Sequence, residues 1–432
     1  MRARSTGVEN TRALQRVLYR SAKQQPDRKF HALYDKVARS DVLARAFGEV
    51  RARKGAPGVD CVSIADVEAS GVEQFLQEIA TALTDRTYRP APLRRVHIPK
   101  AGKSGSTRPL SIPTVRDRTV MAAAKIVLEP VFEADFRPAS FGFRPKRSAH
   151  QALEAVRSEA NRGRDWVFDA DLTDCFGSIS HEALMAQLAR RVFDKEMLKL
   201  VRSWLNAGVL EHGVVTDTQS GTPQGSPISP LLCNVALNVL DEAWEQRGRR
   251  IGVLVRYGDD LVILCASKDR AEEARRRVAA TLLPLGLQLN PEKTRTVCLT
   301  RGAQGFDFLG FHCHKVESWK WRGKWYLQRW PSRTAMTSIR ADIRALTSPS
   351  EVGRSLEEVV AMLNPVLRGW ANYFRHGTSS KAFAAINDYA HLRLAIFMGR
   401  KHGRKGLGRA GPYGYGWLQT TGIYRLKGTV WS

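Results

Sequence analysis

Cysteine is scarce and never clustered in this 432-residue chain: Cys61, Cys175, Cys233, Cys265, Cys298 and Cys313 stand singly, with no CxxC pair. Zinc-ribbon spacing is therefore absent, and reduced thiols in a cytoplasmic protein are the expectation. His312-Cys313-His314 has the period of a strand and reads as structural or surface. Long apolar runs are missing as well. None approaches the roughly 20 residues that span a bilayer, and Met1 to Gln25 lacks the continuous apolar stretch of a signal peptide. Neither membrane insertion nor secretion is expected. Negative charge is the third shortage: 42 Asp and Glu face 68 Lys and Arg, the formal net charge is +26, and no acidic residue follows Asp388. Such a field suits a long polyanion, with nucleic acid ahead of an anionic membrane.

Apolar residues are not short. At 43% hydrophobic the chain has an ordinary globular share, and its length predicts roughly two or three domains. Residues 1–54 read as basic helix, Gly55-Ala56-Pro57-Gly58-Val59-Asp60 as a loop, and Gly71 to Thr84 as a helix with Phe75, Ile79 and Leu83 on one face. Arg94-Arg95-Val96-His97-Ile98-Pro99-Lys100 and Arg108-Pro109-Leu110-Ser111-Ile112-Pro113 flank a Gly/Ser-rich turn, which predicts a β-hairpin rimmed by cations. Lys100 and Arg108 stand near its turn, in reach of a triphosphate or a nucleic-acid backbone, and Arg94 and Arg95 extend the rim. In Ser140-Phe141-Gly142-Phe143-Arg144-Pro145, two aromatics and a guanidinium come together as in base-stacking surfaces, although aromatics in a core are commoner.

Gly221 to Pro230 is a Gly/Pro-punctuated loop opening a helix at Ser229, an arrangement that favours anions. Leu287-Gln288-Leu289 predicts a short strand, followed by Lys293. Beyond about Trp330 the pattern becomes helical: Leu356, Val359, Val360, Leu363 and Leu367 share one face, and Pro365 is expected to kink or split that helix. A small helical domain follows, whose Arg400, Lys401, Arg404 and Lys405 form a one-signed surface suited to duplex or structured RNA.

The chain is organised around Arg256-Tyr257-Gly258-Asp259-Asp260, set between the apolar runs Ile251 to Val255 and Leu261 to Ala266. This reads as strand, tight turn, strand, with Gly258 free to take a positive φ. Two adjacent carboxylates at the tip repel each other unless a cation sits against them. Gly-Asp is also a common turn signal, so the hairpin alone decides nothing. Trp166 to Leu172 reads as a strand bringing up a third carboxylate, Asp171; Asp169 shares its face and competes with it. Asp171, Asp259 and Asp260 together would hold two Mg²⁺ ions, with Mn²⁺ as an alternative, about 3.5 to 4 Å apart. One ion would lower the pKa of a primer 3′-hydroxyl and the other stabilise pyrophosphate, while Lys100 and Arg108 neutralise charge on the triphosphate.

The ordered series Ile98-Pro99-Lys100, Arg108-Pro109-Leu110, Phe141-Gly142-Phe143-Arg144-Pro145, Gly221-Thr222-Pro223-Gln224-Gly225, Tyr257-Gly258-Asp259-Asp260 and Phe308-Leu309-Gly310 resembles the blocks of reverse transcriptases encoded by bacterial group II introns. Leu367-Arg368-Gly369-Trp370-Ala371-Asn372-Tyr373-Phe374 resembles their thumb, or maturase, region, and the tail resembles those of endonuclease-lacking members. The resemblance implies an α+β right-hand polymerase: fingers, a palm built on a small antiparallel sheet flanked by helices, and an α-helical thumb. Placed on this chain, residues 1–70 are a basic extension with the first fingers block, 71–315 fingers and palm, 330–400 the thumb or maturase domain, and 401–432 a basic tail.

Carried over position by position, the resemblance makes Asp171, Asp259 and Asp260 the catalytic metal ligands, ahead of Asp169. Phe176 matches the bulky residue that screens a nucleotide's 2′-hydroxyl, Gln224 lies in the loop facing the incoming nucleotide, and Lys293 matches the lysine after the catalytic hairpin. Phe143 joins this nucleotide side, while Arg144, Leu309, Gly310, Arg368 and Trp370 are expected to meet nucleic acid. Gly258 stands where many relatives carry Ala, and Asp174 and Gly177 where they usually carry Gly and Asp. No HNH-like zinc-binding segment follows the thumb, so target cleavage is not expected. The implied activity is RNA-templated DNA synthesis from dNTPs on a DNA or RNA primer, with splicing assistance to a group II intron RNA and a DNA target, in the bacterial cytoplasm. Competing expectations are a maturase that binds RNA without polymerising, or a relative serving a retron, diversity-generating or defence system.

Overall fold

The computed structural model describes residues 2–99, 107–403 and 413–427; Lys100, Arg404 and Lys405 lie outside the described residues. The described residues form two compact units, the first of 2–99, 107–152 and 168–296, the second of 153–167, 297–403 and 413–427.

In the first unit the helix Val115–Glu133 is buried on nearly every face, Asp117 and Arg118 included. It starts where Thr114 accepts a hydrogen bond from the Asp117 amide at 3.0 Å, a side-chain cap for an otherwise orphaned donor. Helices Arg2–Gln24 and Ser40–Ala52 pack against it. The expected cation-rimmed hairpin is present: β1 (Leu93–Pro99) pairs antiparallel with β2 (Thr107–Ile112), with Ile98 opposite Arg108.

Further strands are β3 (Trp166–Ala170), β4 (Val209–Glu211), β5 (Val214–Thr216), β6 (Gly252–Tyr257), β7 (Asp260–Cys265) and β8 (Arg295–Cys298). They build two four-stranded sheets, ordered β2-β1-β4-β5 and β6-β7-β3-β8. In the second sheet β6 and β7 form the predicted hairpin, with Tyr257 opposite Asp260. Nearly all of β7 is buried, as its unbroken apolar run requires, and helices Ser229–Ala243 and Lys268–Leu282 lie beside the hairpin.

Leu287-Gln288-Leu289 does not become a strand. It contributes one isolated bridge, Leu172 to Leu289, because Asn290 turns the chain at once: its Oδ1 accepts from the amides of Glu292 and Lys293 at 3.0 and 3.2 Å.

In the second unit β9 (Gly305–Phe308), β10 (Phe311–Glu317) and β11 (Trp325–Pro331) make a sheet ordered β11-β10-β9, followed by helices Arg333–Leu346, Leu356–Phe374 and Ser380–Lys401. The helix 356–374 runs unbroken through Pro365, against expectation. Pro365 and Ala361 both lie on its exposed side, so the carbonyl freed by the missing N–H faces water. The α+β architecture read from the sequence is thus present, with sheets and helices mixed in both units.

Candidate active site

The turn at the tip of β6 and β7 is shaped by Gly258, whose φ is +67°. A side chain there would be strained by the backbone and would also press on Phe143, whose Cε2 lies 2.8 Å from where a Cβ would stand. Phe143 is itself at φ +57° and 47% exposed, lying over the turn with its ring 6.1 Å from that of Tyr257. Gly258 is therefore what the neighbouring aromatic loop demands.

Beneath the turn sits Arg256, fully buried. Its Nε donates to Asp241 Oδ1 at 2.9 Å and its Nη2 to the other oxygen, closing a two-pronged ion pair with another fully buried group. Nη1 donates to the Gly258 carbonyl and to Asn234 Oδ1, both at 2.9 Å, and Nη2 also to Ser140 Oγ at 2.8 Å. Asn234 in turn donates to the Gly142 carbonyl at 2.9 Å. One guanidinium thus ties the aspartate turn, the helix 229–243 and the loop 140–143 together. Sequence reasoning missed this role; the available signal was an arginine inside an apolar strand, which needs a buried partner.

Asp171 follows β3, and its carbonyl accepts from the Asn290 amide at 2.8 Å. Lys293 donates from Nζ to Asp171 Oδ2 at 3.0 Å. The competitor Asp169 is engaged elsewhere, 3.0 Å from Arg295 Nε. Burial, and then the charge of Asp171, push the Asp259 carboxyl above its ordinary range. Asp260 is pushed up to about 7 by burial and then by Asp259, Asp171 and Asp169, with Lys293 opposing. Among the described residues no three His, Cys, Asp or Glu side chains converge as a ready-made metal site, and Asp171 is drawn to Lys293. The donor set nonetheless fits a hard divalent cation: three acceptor-only carboxylates repel one another, and one lysine leaves that charge uncompensated.

Beside the hairpin, the segment 174–178 and the loop 221–225 pack closely. Asp174 is left-handed at φ +39° and accepts from Gln224 Nε2 at 3.2 Å, while Gly177 leaves room for the Asp174 carboxylate. The Thr222 amide donates to the Phe176 carbonyl, which ties the backbone at Phe176 to the loop, and the Phe176 side chain is half-buried. A cavity of about 190 Å³ opens here, lined by Arg95, Asp174, Gly177, Gly221 and Gln224 among others. Arg94 and Arg95 each bury an Nε with no hydrogen-bond partner, and Arg108 is exposed. A larger cavity of about 460 Å³, lined by Lys23, Asp135 and Asn238 among others, touches none of the three carboxylates.

Of the expected nucleic-acid contacts, Arg144, Trp370 and Lys401 make contacts within the protein. Arg144 is buried, paired with Glu133 and donating to the carbonyls of Arg137 and Ser140 at 2.7 and 2.8 Å; Pro145 and the turn fold it inward. Trp370 is half-buried in an aromatic stack, 4.7 Å from Phe374 and 5.7 Å from Phe383 between ring centres. Lys401 donates to the Arg354 carbonyl at 2.7 Å. Arg368 is exposed over the Tyr424 ring at 5.3 Å, and Arg400 is half-buried. Leu309 and Gly310 form the turn between β9 and β10, at φ +50° and +77°, held by the Tyr373 hydroxyl donating to the Leu309 carbonyl at 2.9 Å.

Residues 98–313, half of the chain, match the family described as reverse transcriptase (RNA-dependent DNA polymerase). Residues 336–413 match the group II intron, maturase-specific domain. Protein YkfC of Escherichia coli (strain K12) is 34% identical over 336 residues, covering 69% of this chain and 86% of that protein. The group II intron-encoded protein LtrA of Lactococcus lactis subsp. cremoris is 36% identical over 236 residues, 54% of this chain and 39% of LtrA. An uncharacterized 91 kDa protein in the cob intron of Schizosaccharomyces pombe is 40% identical over 167 residues, 39% of this chain and 20% of that protein.

Proposed function

Because the chain belongs to the reverse transcriptase family and carries a group II intron maturase-specific domain, we propose that it extends a primer 3′-hydroxyl with dNTPs on an RNA template and binds group II intron RNA as a splicing cofactor. The observation that carries this reading is the hairpin tip, where Arg256 holds the turn that presents Asp259 and Asp260 while Asp171 follows the end of β3; burial first, and then the charges of neighbouring aspartates, raise the Asp259 and Asp260 carboxyls. Residues 71–315 serve as fingers and palm, 330–400 as thumb and maturase domain, 1–70 as a basic extension and 401–432 as a basic tail.

Asp171, Asp259 and Asp260 would hold Mg²⁺. When bound, two such ions supply Lewis acidity at the attacking hydroxyl and at the departing pyrophosphate. The protein's own part is positional. Arg256 locks the turn so that both tip carboxylates keep one geometry, and preorganisation of this kind is worth more than affinity alone. Lys293 pairs with Asp171 at 3.0 Å and offsets part of its charge. Phe176, fixed to the loop at Thr222, would screen the sugar edge, and Gln224 and Phe143 would border the nucleotide. Lys100 and Arg108 are assigned to the triphosphate. Arg94, Arg95, Leu309, Gly310, Arg368 and Arg400 are assigned to template and primer, as are Arg404 and Lys405. Among the described residues no helix is long and apolar enough to cross a membrane, and we place the protein in the bacterial cytoplasm with a DNA target as a further partner.

The test is incorporation of labelled deoxynucleotides on a primed RNA template with Mg²⁺. Extension is expected. A protein that binds the template tightly yet never extends it would leave only the maturase half of the reading.

A further inference from the structure

We propose that the tip joining β10 and β11, Ser318 to Lys324, is a binding site for an unpaired stretch of RNA, with Trp319 stacking on one base. Trp319 is 91% exposed, against 64% for the next most exposed large apolar residues, Val214 and Leu283. It has no ring partner among the described residues. An indole held in water gives up the burial free energy that usually places tryptophan in a core, and a base can recover it.

The tip is built rather than loose. The strand register ends at Glu317 opposite Trp325, after which the Ser318 amide donates to the Lys324 carbonyl at 2.8 Å and the Lys324 amide to the Trp321 carbonyl at 3.2 Å. The Gly323 amide donates to Glu317 Oε1 at 2.6 Å, and the Trp321 amide to Ser318 Oγ at 3.2 Å. Trp321 lies between two cations, Lys320 Nζ at 5.0 Å and Lys324 Nζ at 5.2 Å from its ring centre. That arrangement holds both ammonium groups at the tip beside Arg322. Lys320, Arg322 and Lys324 make no ion pair among the described residues, and the one carboxylate present, Glu317, is turned to a backbone amide.

A projecting indole beside the partly exposed Trp321, with three cations that have no acidic partner among the described residues, suits a base and its flanking phosphates. It does not suit a protein hot spot, which needs an apolar surround to exclude water. RNA is preferred to DNA on the reading of this chain as a maturase-type protein. The site differs from the Leu309-Gly310 turn, which lies at the other end of β10, about 20 Å away at the usual rise per residue.

The experiment compares full-length wild type, Trp319→Ala, Trp319→Phe and Lys320→Gln/Arg322→Gln/Lys324→Gln. Probes are an RNA hairpin with a single-stranded overhang bearing 2-aminopurine and the same hairpin with blunt ends. Trp319→Ala is expected to weaken overhang binding about tenfold, to abolish 2-aminopurine quenching and to spare the blunt hairpin, while Trp319→Phe keeps most of the affinity. The triple change should reduce the slope of log affinity against log salt by about two. Wild-type affinity in Trp319→Ala, or equal losses on both probes, would overturn the proposal. So would a loss confined to self-association in sedimentation, which would mark the tip as a protein dock. A wild type that binds the overhang through Trp319 but never extends a primer strikes the polymerase reading alone, whereas one that binds neither RNA overturns the tip site as well.

Discussion

In the first unit, the strand that presents the aspartate pair buries an arginine completely and spends its nitrogens on Asp241, Asn234, Ser140 and the carbonyl of Gly258. In the second, the β10–β11 tip leaves a tryptophan 91% exposed and its cations without acidic partners among the described residues. The difference follows from what each must hold. Metal and nucleotide chemistry needs carboxylates fixed to a fraction of an ångström, so the support lies underneath and out of water. Contact with a polyanion tolerates adjustable side chains on a surface, because phosphates recur along the strand and screening is shared.

The sharpest way to break this contrast is at the tip carboxylates. Asp259→Ala with Asp260→Ala is expected to lower primer extension about a thousandfold or more, the worth of several kcal/mol of charge stabilisation, with affinity for primed RNA unchanged. Single-turnover extension alongside filter binding measures both. A matching loss of binding would mean that the hairpin grips RNA instead of acting on it.

Next in size is the support itself. Asp241→Ala leaves Arg256 buried and unpaired, so unfolding free energy should fall by about 3 to 5 kcal/mol, read from denaturant titration. Replacing both partners, Arg256→Met with Asp241→Leu, should recover part of that stability, since two apolar groups need no pairing. Extension should stay low, because nothing then holds the Gly258 carbonyl. Recovery of both together would reduce Arg256 to packing.

This pair of residues also marks how far the sequence was legible. Asp171 stands ahead of Asp169 only on the family resemblance, whereas the β6–β7 hairpin bearing Asp259 and Asp260, the β1–β2 hairpin and the face of helix 356–374 could be read from local patterns. Arg256 could not, because its partner Asp241 sits on a helix whose pattern shows only an apolar face, and tertiary packing alone joins them. The burial of Arg144 could not be read for the related reason that residue type does not reveal burial. Leu287 to Leu289 failed as a strand because the turn made by Asn290 competes with ladder pairing. Trp319 lay in a stretch with no periodicity to single it out.

A smaller effect separates the two regions by pH. The Asp260 carboxyl is raised from an ordinary value of 3.8 to about 7, so the folded state binds its proton more tightly than the unfolded chain does. Without divalent ions this contribution to stability is full below about pH 4 and is lost as pH rises through about 7. Asp260→Asn should flatten that limb of the stability curve, and added Mg²⁺ should stabilise wild type more at pH 8 than at pH 5. Trp319→Ala, carrying no titrating group, should leave the curve's shape alone. Thermal unfolding across pH, with and without Mg²⁺, checks all three.

The smallest expected change in stability lies on the exposed thumb surface. Arg368 is exposed and lies 5.3 Å over the Tyr424 ring, with no ion pair among the described residues, so Arg368→Gln should alter unfolding free energy by no more than about 0.5 kcal/mol. Its effect should appear in RNA binding: weaker affinity for every sequence alike, with the slope of log affinity against log salt reduced by about one. A slope unchanged by Arg368→Gln would mean that this cation meets no phosphate and that the one-signed surface binds RNA through other groups. Were stability to fall as steeply as in Asp241→Ala, the second unit would depend on its cations as the aspartate hairpin depends on Arg256, and the contrast between the two regions would be lost.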